Sequence, residues 1–267
     1  AFVGNGFLSI LNNSAALKLL LVVLVLFVNG AVQVSAEEPH PYKATTADEC
    51  IQEKECVWYV LDKYTLRPNQ TEMDDEKIIL WTRDVQIFTV GDEDAAIPLR
   101  AEIEEFLKPI NAITPMDVRV DKTANFFLVV TDDIVGSYRS YYFGLFDKLM
   151  PASMMREIGL TIDDMAKIET PCVQLSNRNY VVNEYTSSVS FVRIKNLDQA
   201  CWKTDIYTTL GARNVGDVFP QNGTNLNALQ YFILEILYHP KVKSGMTIGE
   251  FKSVFDDVYA DAIEERK

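Results

Sequence analysis

Residues 84–110 read DVQIFTVGDEDAAIPLRAEIEEFLKPI, and a change of period inside this stretch decides the fold. Asp84 to Val90 alternates at a period of two, which predicts a strand, and Gly91-Asp92-Glu93-Asp94 supplies the turn after it. Leu99, Ile103, Phe106, Leu107 and Ile110 then recur at spacings of three and four, so they share one helical face. Pro98 suits the start of that helix, and Pro109 and Pro115 lie at and beyond its end. Strand passes to helix within a single turn.

Working outward, Phe126 to Thr131 (FFLVVT) is a continuous apolar run of strand length, the pattern of a strand buried on both faces. Val189 to Ile194 (VSFVRI) is a further strand, reached after the polar turn region Asn177 to Asn183. Leu226, Leu229, Phe232, Ile233, Ile236 and Leu237 form an apolar helical stripe that stops at Pro240. Thr247-Ile-Gly-Glu250 has the form of a capping box, ahead of a helix through Phe251, Val254, Phe255, Val258, Tyr259 and Ala262. The expectation is an α+β fold over residues 78–267, with a small sheet and a helical C-terminal half. Residues 136–150 are dense in aromatics (Tyr138, Tyr141, Tyr142, Phe143, Phe146) and read as core in preference to a binding surface. Thr161-Ile-Asp-Asp164 resembles a helix N-cap.

The N-terminal part is organised differently. Lys18 precedes ten uninterrupted apolar residues, Leu19 to Val28, and Val34-Ser35-Ala36 offers a small-residue exit. Residues 1–36 therefore have the layout of a secretory signal peptide; retained, residues 15–34 would instead form an N-terminal membrane anchor, the one route to a membrane in this chain. Residues 37–77 are polar and turn-rich around one apolar patch, Cys56 to Leu61, and are expected to form an extended arm stapled by a small disulfide loop. All four cysteines follow the proposed cleavage point. Export would pair Cys50 with Cys56 and Cys172 with Cys201, one of three connectivities; the alternative is four free buried thiols. A periplasmic or secreted location follows from this reading.

The chain of 267 residues carries 25 Lys and Arg against 38 Asp and Glu, a net charge of −13, which argues against a nucleic-acid partner. Its two histidines, His40 and His239, exclude a three-histidine zinc site. His239, between Tyr238 and Pro240, reads as a structural residue at a helix C-terminus. No Gly-x-Ser-x-Gly elbow, dinucleotide fingerprint or phosphate loop is present. Asp92-Glu93-Asp94 offers hard oxygen ligands for calcium without a recognisable loop, and the pairs Asp132-Asp133, Asp163-Asp164 and Asp256-Asp257 read as solvated faces. No cofactor is expected.

From Ile78 to the end the order of segments resembles a family of exported bacterial proteins, a domain of unknown function with a zincin-like, metallopeptidase-like core. Trp81-Thr-Arg-Asp-Val-Gln-Ile-Phe88 and Ala124-Asn125-Phe-Phe-Leu-Val-Val130 carry part of the likeness. The C-terminal block carries the rest: Cys201, Leu210-Gly211, Leu226, Leu229, Leu237-Tyr238-His239-Pro240 and Ser244-Gly245-Met246. In that register a peptidase would place His-Glu-x-x-His on a helix, two imidazoles gripping zinc while the Glu polarises bound water. The three positions hold Thr204, Asp205 and Thr208. Threonine does not replace a zinc-binding imidazole, and an acid without its metal has no activated water to work on. The resemblance thus implies a non-catalytic exported interaction or accessory protein, a pseudoenzyme with a protein partner, or a subunit of a membrane-associated extracytoplasmic complex. The competing reading is a hydrolase whose active site lies outside these motifs.

Overall fold

The structure, a computed structural model, describes residues 42–66, 76–138, 140, 171–179, 184–212, 218–219 and 226–266. The proposed export segment, the N-cap at Thr161 and the aromatics beyond Tyr138 lie outside them. Among the described residues no helix is long and apolar enough to cross a membrane.

The segment expected to be extended is helical. Helix α1 (Ala47–Gln52) is capped by Thr46, whose side chain accepts from the Glu49 N–H, and α2 (Lys54–Val60) follows after a turn at Glu53. Cys50, Cys56, Val57 and Val60 are fully buried, so this part of the chain belongs to the core. The Cys50–Cys56 disulfide ties the two short helices together, and Cys50, Ile51, Cys56, Val57 and Val60 all enter the main core. The Glu53 carboxylate secures the entry by accepting from the Lys43 and Ala44 N–H groups at 2.9 and 3.0 Å.

Strand β1 (Val85–Gly91) buries Val85, Ile87 and Thr89 on one face, as its period of two predicts. Helix α3 (Glu93–Ile113) begins five residues before Pro98, because Asp92 caps it by accepting from the Ala95 N–H. Glu93 and Asp94 then fall in its first turn, where acids oppose the positive end of the helix dipole. The three acids weighed for calcium are thereby accounted for by the helix start. Pro98 and Pro109 sit inside α3 on its exposed side, so the carbonyls deprived of a partner face water.

Strands β2 (Val118–Val120), β3 (Phe126–Val130), β4 (Cys172–Asn179) and β5 (Glu184–Val192) complete a five-stranded sheet of order β2-β1-β3-β5-β4. β1 pairs in parallel with β2 and β3, and β3 in parallel with β5; only the edge strand β4 is antiparallel. The protein is thus a mixed α/β fold, and its C-terminal half contributes two strands as well as helices. β4 escapes the sequence pattern because CVQLSNRN is a polar edge strand without a continuous apolar face.

After β5 come a 3₁₀ turn (Ile194–Gln199) and three helices, α4 (Cys201–Thr209), α5 (Ala228–Leu237) and α6 (Ile248–Glu264). α5 is buried on nearly all sides, through Leu229, Phe232, Ile233, Leu234, Ile236 and Leu237, and forms the axis of the main core. α6 starts at the expected capping box, Thr247 and Glu250 exchanging bonds with each other's N–H groups. It lays Phe251 and Phe255 against Trp58 of α2, and Tyr259 donates to the Ile51 carbonyl at 2.9 Å. The opposite sheet face carries a smaller cluster, where Tyr138 meets Phe191 at 5.7 Å and takes the core role expected of it.

Gly91 closes β1 with φ +105°, and a Cβ there would stand 2.1 Å from the Val130 carbonyl oxygen. Gly91→Ala combines an unfavourable backbone region with a backbone clash between the two central strands and should cost about 3 kcal/mol or more. Urea denaturation measures it; a loss under about 1 kcal/mol would contradict this placement.

Candidate functional site

Helix α4 carries the three positions that the resemblance singles out. Thr204 is exposed, while Asp205 and Thr208 are half-buried. Asp205 turns toward β5, where it accepts a short hydrogen bond from the Ser190 hydroxyl. Ser188 and Ser190 lie on the α4 side of β5 because they alternate with Val189 and Phe191, which enter the smaller cluster on the other face.

The bond belongs to a longer polar seam. Gln174 and Ser176 of β4 stand opposite Ser190 and Ser188 in the antiparallel register. Gln174 Nε2 donates to Thr209 Oγ1 at 2.7 Å and to Ser176 Oγ at 2.8 Å, and the Ser176 and Ser188 hydroxyls are 3.0 Å apart. Ser188 Oγ reaches Thr209 Oγ1 at 3.2 Å. Ser188, Ser190 and Thr209 are essentially inaccessible, Gln174 is half-buried and Ser176 is exposed, so the seam runs from the interior to the surface while its hydroxyl and amide groups bond one another.

Both ends of α4 are fixed. Ala200 takes a left-handed conformation ahead of it, and Cys201, its first residue, forms a disulfide with Cys172 at the start of β4. At the C-terminal end, Trp81 Nε1 donates to the Thr209 carbonyl and Tyr238 OH to the Leu210 carbonyl, each at 2.8 Å. Gly211 takes φ +97°, and a Cβ there would stand 3.0 Å from the Ile79 carbonyl oxygen. The Ser244-Gly245-Met246 turn supports the segment that carries Trp81: Gly245 N–H donates to the Ile78 carbonyl, Ile78 N–H to the Met246 carbonyl, and Leu80 N–H to Ser244 Oγ. Leu210-Gly211, Tyr238 and Ser244-Gly245-Met246 thus share one physical task, the placement of α4.

The pairing Cys50–Cys56 and Cys172–Cys201 is present, and the two disulfides fit an oxidising, extracytoplasmic compartment. His239 engages other groups: its Nε2 is 3.5 Å from Asp261 of α6, and its Nδ1 accepts from the Lys241 N–H at 3.2 Å. Among the described residues no three His, Cys, Asp or Glu side chains converge to hold a metal ion. A groove of about 500 Å³ lies between α2 and α6, lined by Trp58, Tyr59 and Phe255 with the Lys54–Asp256 ion pair beside it at 3.0 Å. It shares no residue with the α4 site.

Burial pushes the Asp205 carboxyl up from 3.8 to about 6, and the Ser190 hydroxyl only partly offsets this by stabilising the carboxylate. The sequence singles out Asp205 but not Ser190, Ser188, Gln174 or Thr209. The only available signal was the alternation of serines with Val189 and Phe191. Because the folded-state value is raised, ionisation opposes folding: the contribution of Asp205 is fully present below about pH 4 and is lost as pH rises through 6. Asp205→Asn keeps an acceptor for Ser190 and removes the charge. The variant should be more stable than the unaltered protein by roughly 1–3 kcal/mol at pH 8, with the difference shrinking toward pH 4. Denaturant titrations of both proteins at the two pH values measure this, and a variant less stable at pH 8 would refute the assignment.

No protein-family model matches the chain, and no curated protein or solved structure is similar to it at a significant level.

Proposed function

We propose that this chain is a non-catalytic exported interaction or accessory protein, built on a zincin-like scaffold whose metal chemistry is gone. The observation that carries the reading is the donor set of α4: two threonine hydroxyls and one acid at the i, i+4 and i+1 positions of a helix held against a sheet. A neutral hydroxyl is a poor zinc ligand beside imidazole or carboxylate. The single acid is turned into the seam by Ser190, away from the work of polarising water. What persists is the framework around α4, with both of its ends fixed. A scaffold kept without its chemistry serves recognition, and a protein partner in the extracytoplasmic space is the partner this reading implies.

One feature favours the hydrolase alternative: a carboxyl that titrates near pH 6 lies within the range useful to a general acid or base. Ser190, its only described side-chain hydrogen-bond partner, is fully buried, which speaks for a structural role.

Elemental analysis of the protein purified from the exported fraction should find zinc well below one atom per chain; stoichiometric zinc would overturn the proposal. The complementary experiment restores the ligands. If α4 occupies the place of a zincin helix, the variant Thr204→His/Asp205→Glu/Thr208→His should bind zinc roughly tenfold or more tightly than the unaltered chain, read by calorimetry. Equal affinities would remove the scaffold argument.

A further inference from the structure

The two disulfides occupy opposite environments. Cys50 and Cys56 are fully buried in the main core, whereas Cys172 and Cys201 are half-buried at the junction of an edge strand and a helix. We propose that Cys172–Cys201 is a redox modification site, opened by a dithiol reductant while Cys50–Cys56 stays closed, and that its opening loosens helix α4 from the β4–β5 hairpin. The inference goes beyond the proposed function and stands whether or not the chain is catalytic.

Access and leaving-group chemistry both select this bond. Thiol–disulfide exchange needs a thiolate to approach a sulfur atom, and core burial denies that approach at Cys50–Cys56. Cys201 is the first residue of the nine-residue α4, so its sulfur sits at the positive end of the helix, where a thiolate is stabilised. The favoured path is attack of one dithiol sulfur on Cys172 Sγ. The sulfur–sulfur bond breaks with its electron pair going to Cys201 Sγ, and a mixed disulfide forms at Cys172. The second thiol of the reductant then attacks its own mixed-disulfide sulfur and releases Cys172 as a thiolate, which takes up a proton. The protein gains two electrons, and the dithiol becomes a disulfide.

Position gives the reaction its consequence. The bridge joins cysteines 29 positions apart, closing a loop that contains nearly all of β4 and all of β5 and the 3₁₀ turn, and it is the covalent tie of the first turn of α4 to the sheet edge. The residue ahead of the helix, Ala200, is held left-handed, and the α4 N-terminus has no side-chain cap. Without the bridge the N-terminal half of α4 is held only by non-covalent contacts, among them the Ser190–Asp205 bond, the contact of Trp202 with Phe106 and the Lys203 ammonium over the Phe106 ring, while the C-terminal end keeps its Trp81 and Tyr238 donors. Loosening therefore begins at the Cys201 end of α4, in the half that carries Thr204.

The test treats the full chain with graded dithiothreitol, alkylates, and follows the four cysteines by peptide mass spectrometry. Cys172 and Cys201 should be modified at least about tenfold faster than Cys50 and Cys56. In the singly reduced protein, amide hydrogen exchange across residues 202–209 should accelerate about tenfold or more, with α6 unchanged. The double variant Cys172→Ala/Cys201→Ala should reproduce that exchange pattern without reductant; should it fail to fold, the graded reduction decides alone. Reduction of Cys50–Cys56 first, loss of both bonds together with global unfolding, or an α4 whose exchange is unaffected by opening the bridge would each overturn the proposal.

Discussion

Two indole and phenol donors hold the structure together at one point. Trp81 Nε1 and Tyr238 OH donate to the Thr209 and Leu210 carbonyls, groups that a helix end leaves without intrahelical partners. Both aromatic side chains are buried, so these bonds form where water cannot compete for the carbonyls. They fix the end of α4 to the segment before β1 on one side and to the end of α5 on the other. The sheet, the buried axis of α5 and the polar seam meet there. Burial pushes the Tyr238 hydroxyl well above its ordinary value, so it remains a proton donor throughout the physiological range.

What could be read from the residues was whatever leaves a periodic trace. β1, the apolar face of α3 and the stripe of α5 repeat at 2 or 3.6, β3 is an unbroken apolar run and α6 opens on a capping box, and each lies where its pattern says. The start of α3 was misplaced because Pro98 outweighed Asp92, although a capping acid needs only one N–H three residues on. β4 and the helices α1 and α2 left almost no trace. A polar edge strand needs no apolar face, and two short helices joined at a disulfide are too brief for a period to accumulate.

The candidate site was legible only in its chemistry. Thr204, Asp205 and Thr208 are residue types, and from types alone the absence of imidazole follows at once. That Asp205 would meet Ser190 depends on the register of β5 and on the rotation of α4. Both are set by contacts far away in sequence, such as the Trp81 bond to Thr209 across 128 positions. Resemblance to a family could point at the helix, but the seam beneath it belongs to tertiary structure.

The seam also answers why a polar edge strand holds its place. β4 has little apolar surface to fix its register, and a slip of one residue would turn every side chain to the other face. Gln174 and Ser176 then could not reach Thr209 and Ser188, and the buried hydroxyls of Ser188 and Thr209 would lose those partners. Each hydrogen bond lost in this way is worth roughly 0.5–1.5 kcal/mol. The seam selects among registers as well as stabilising one. Cys172 enforces the same choice covalently, since it stands opposite Val192 at the start of the strand, just ahead of the residues that Gln174 and Ser176 must face. Polar pairing and the disulfide are therefore two independent constraints on one degree of freedom. Asp205, ionised at an energetic cost, is tolerated because its bond to Ser190 joins α4 to the strand whose partner they hold in register.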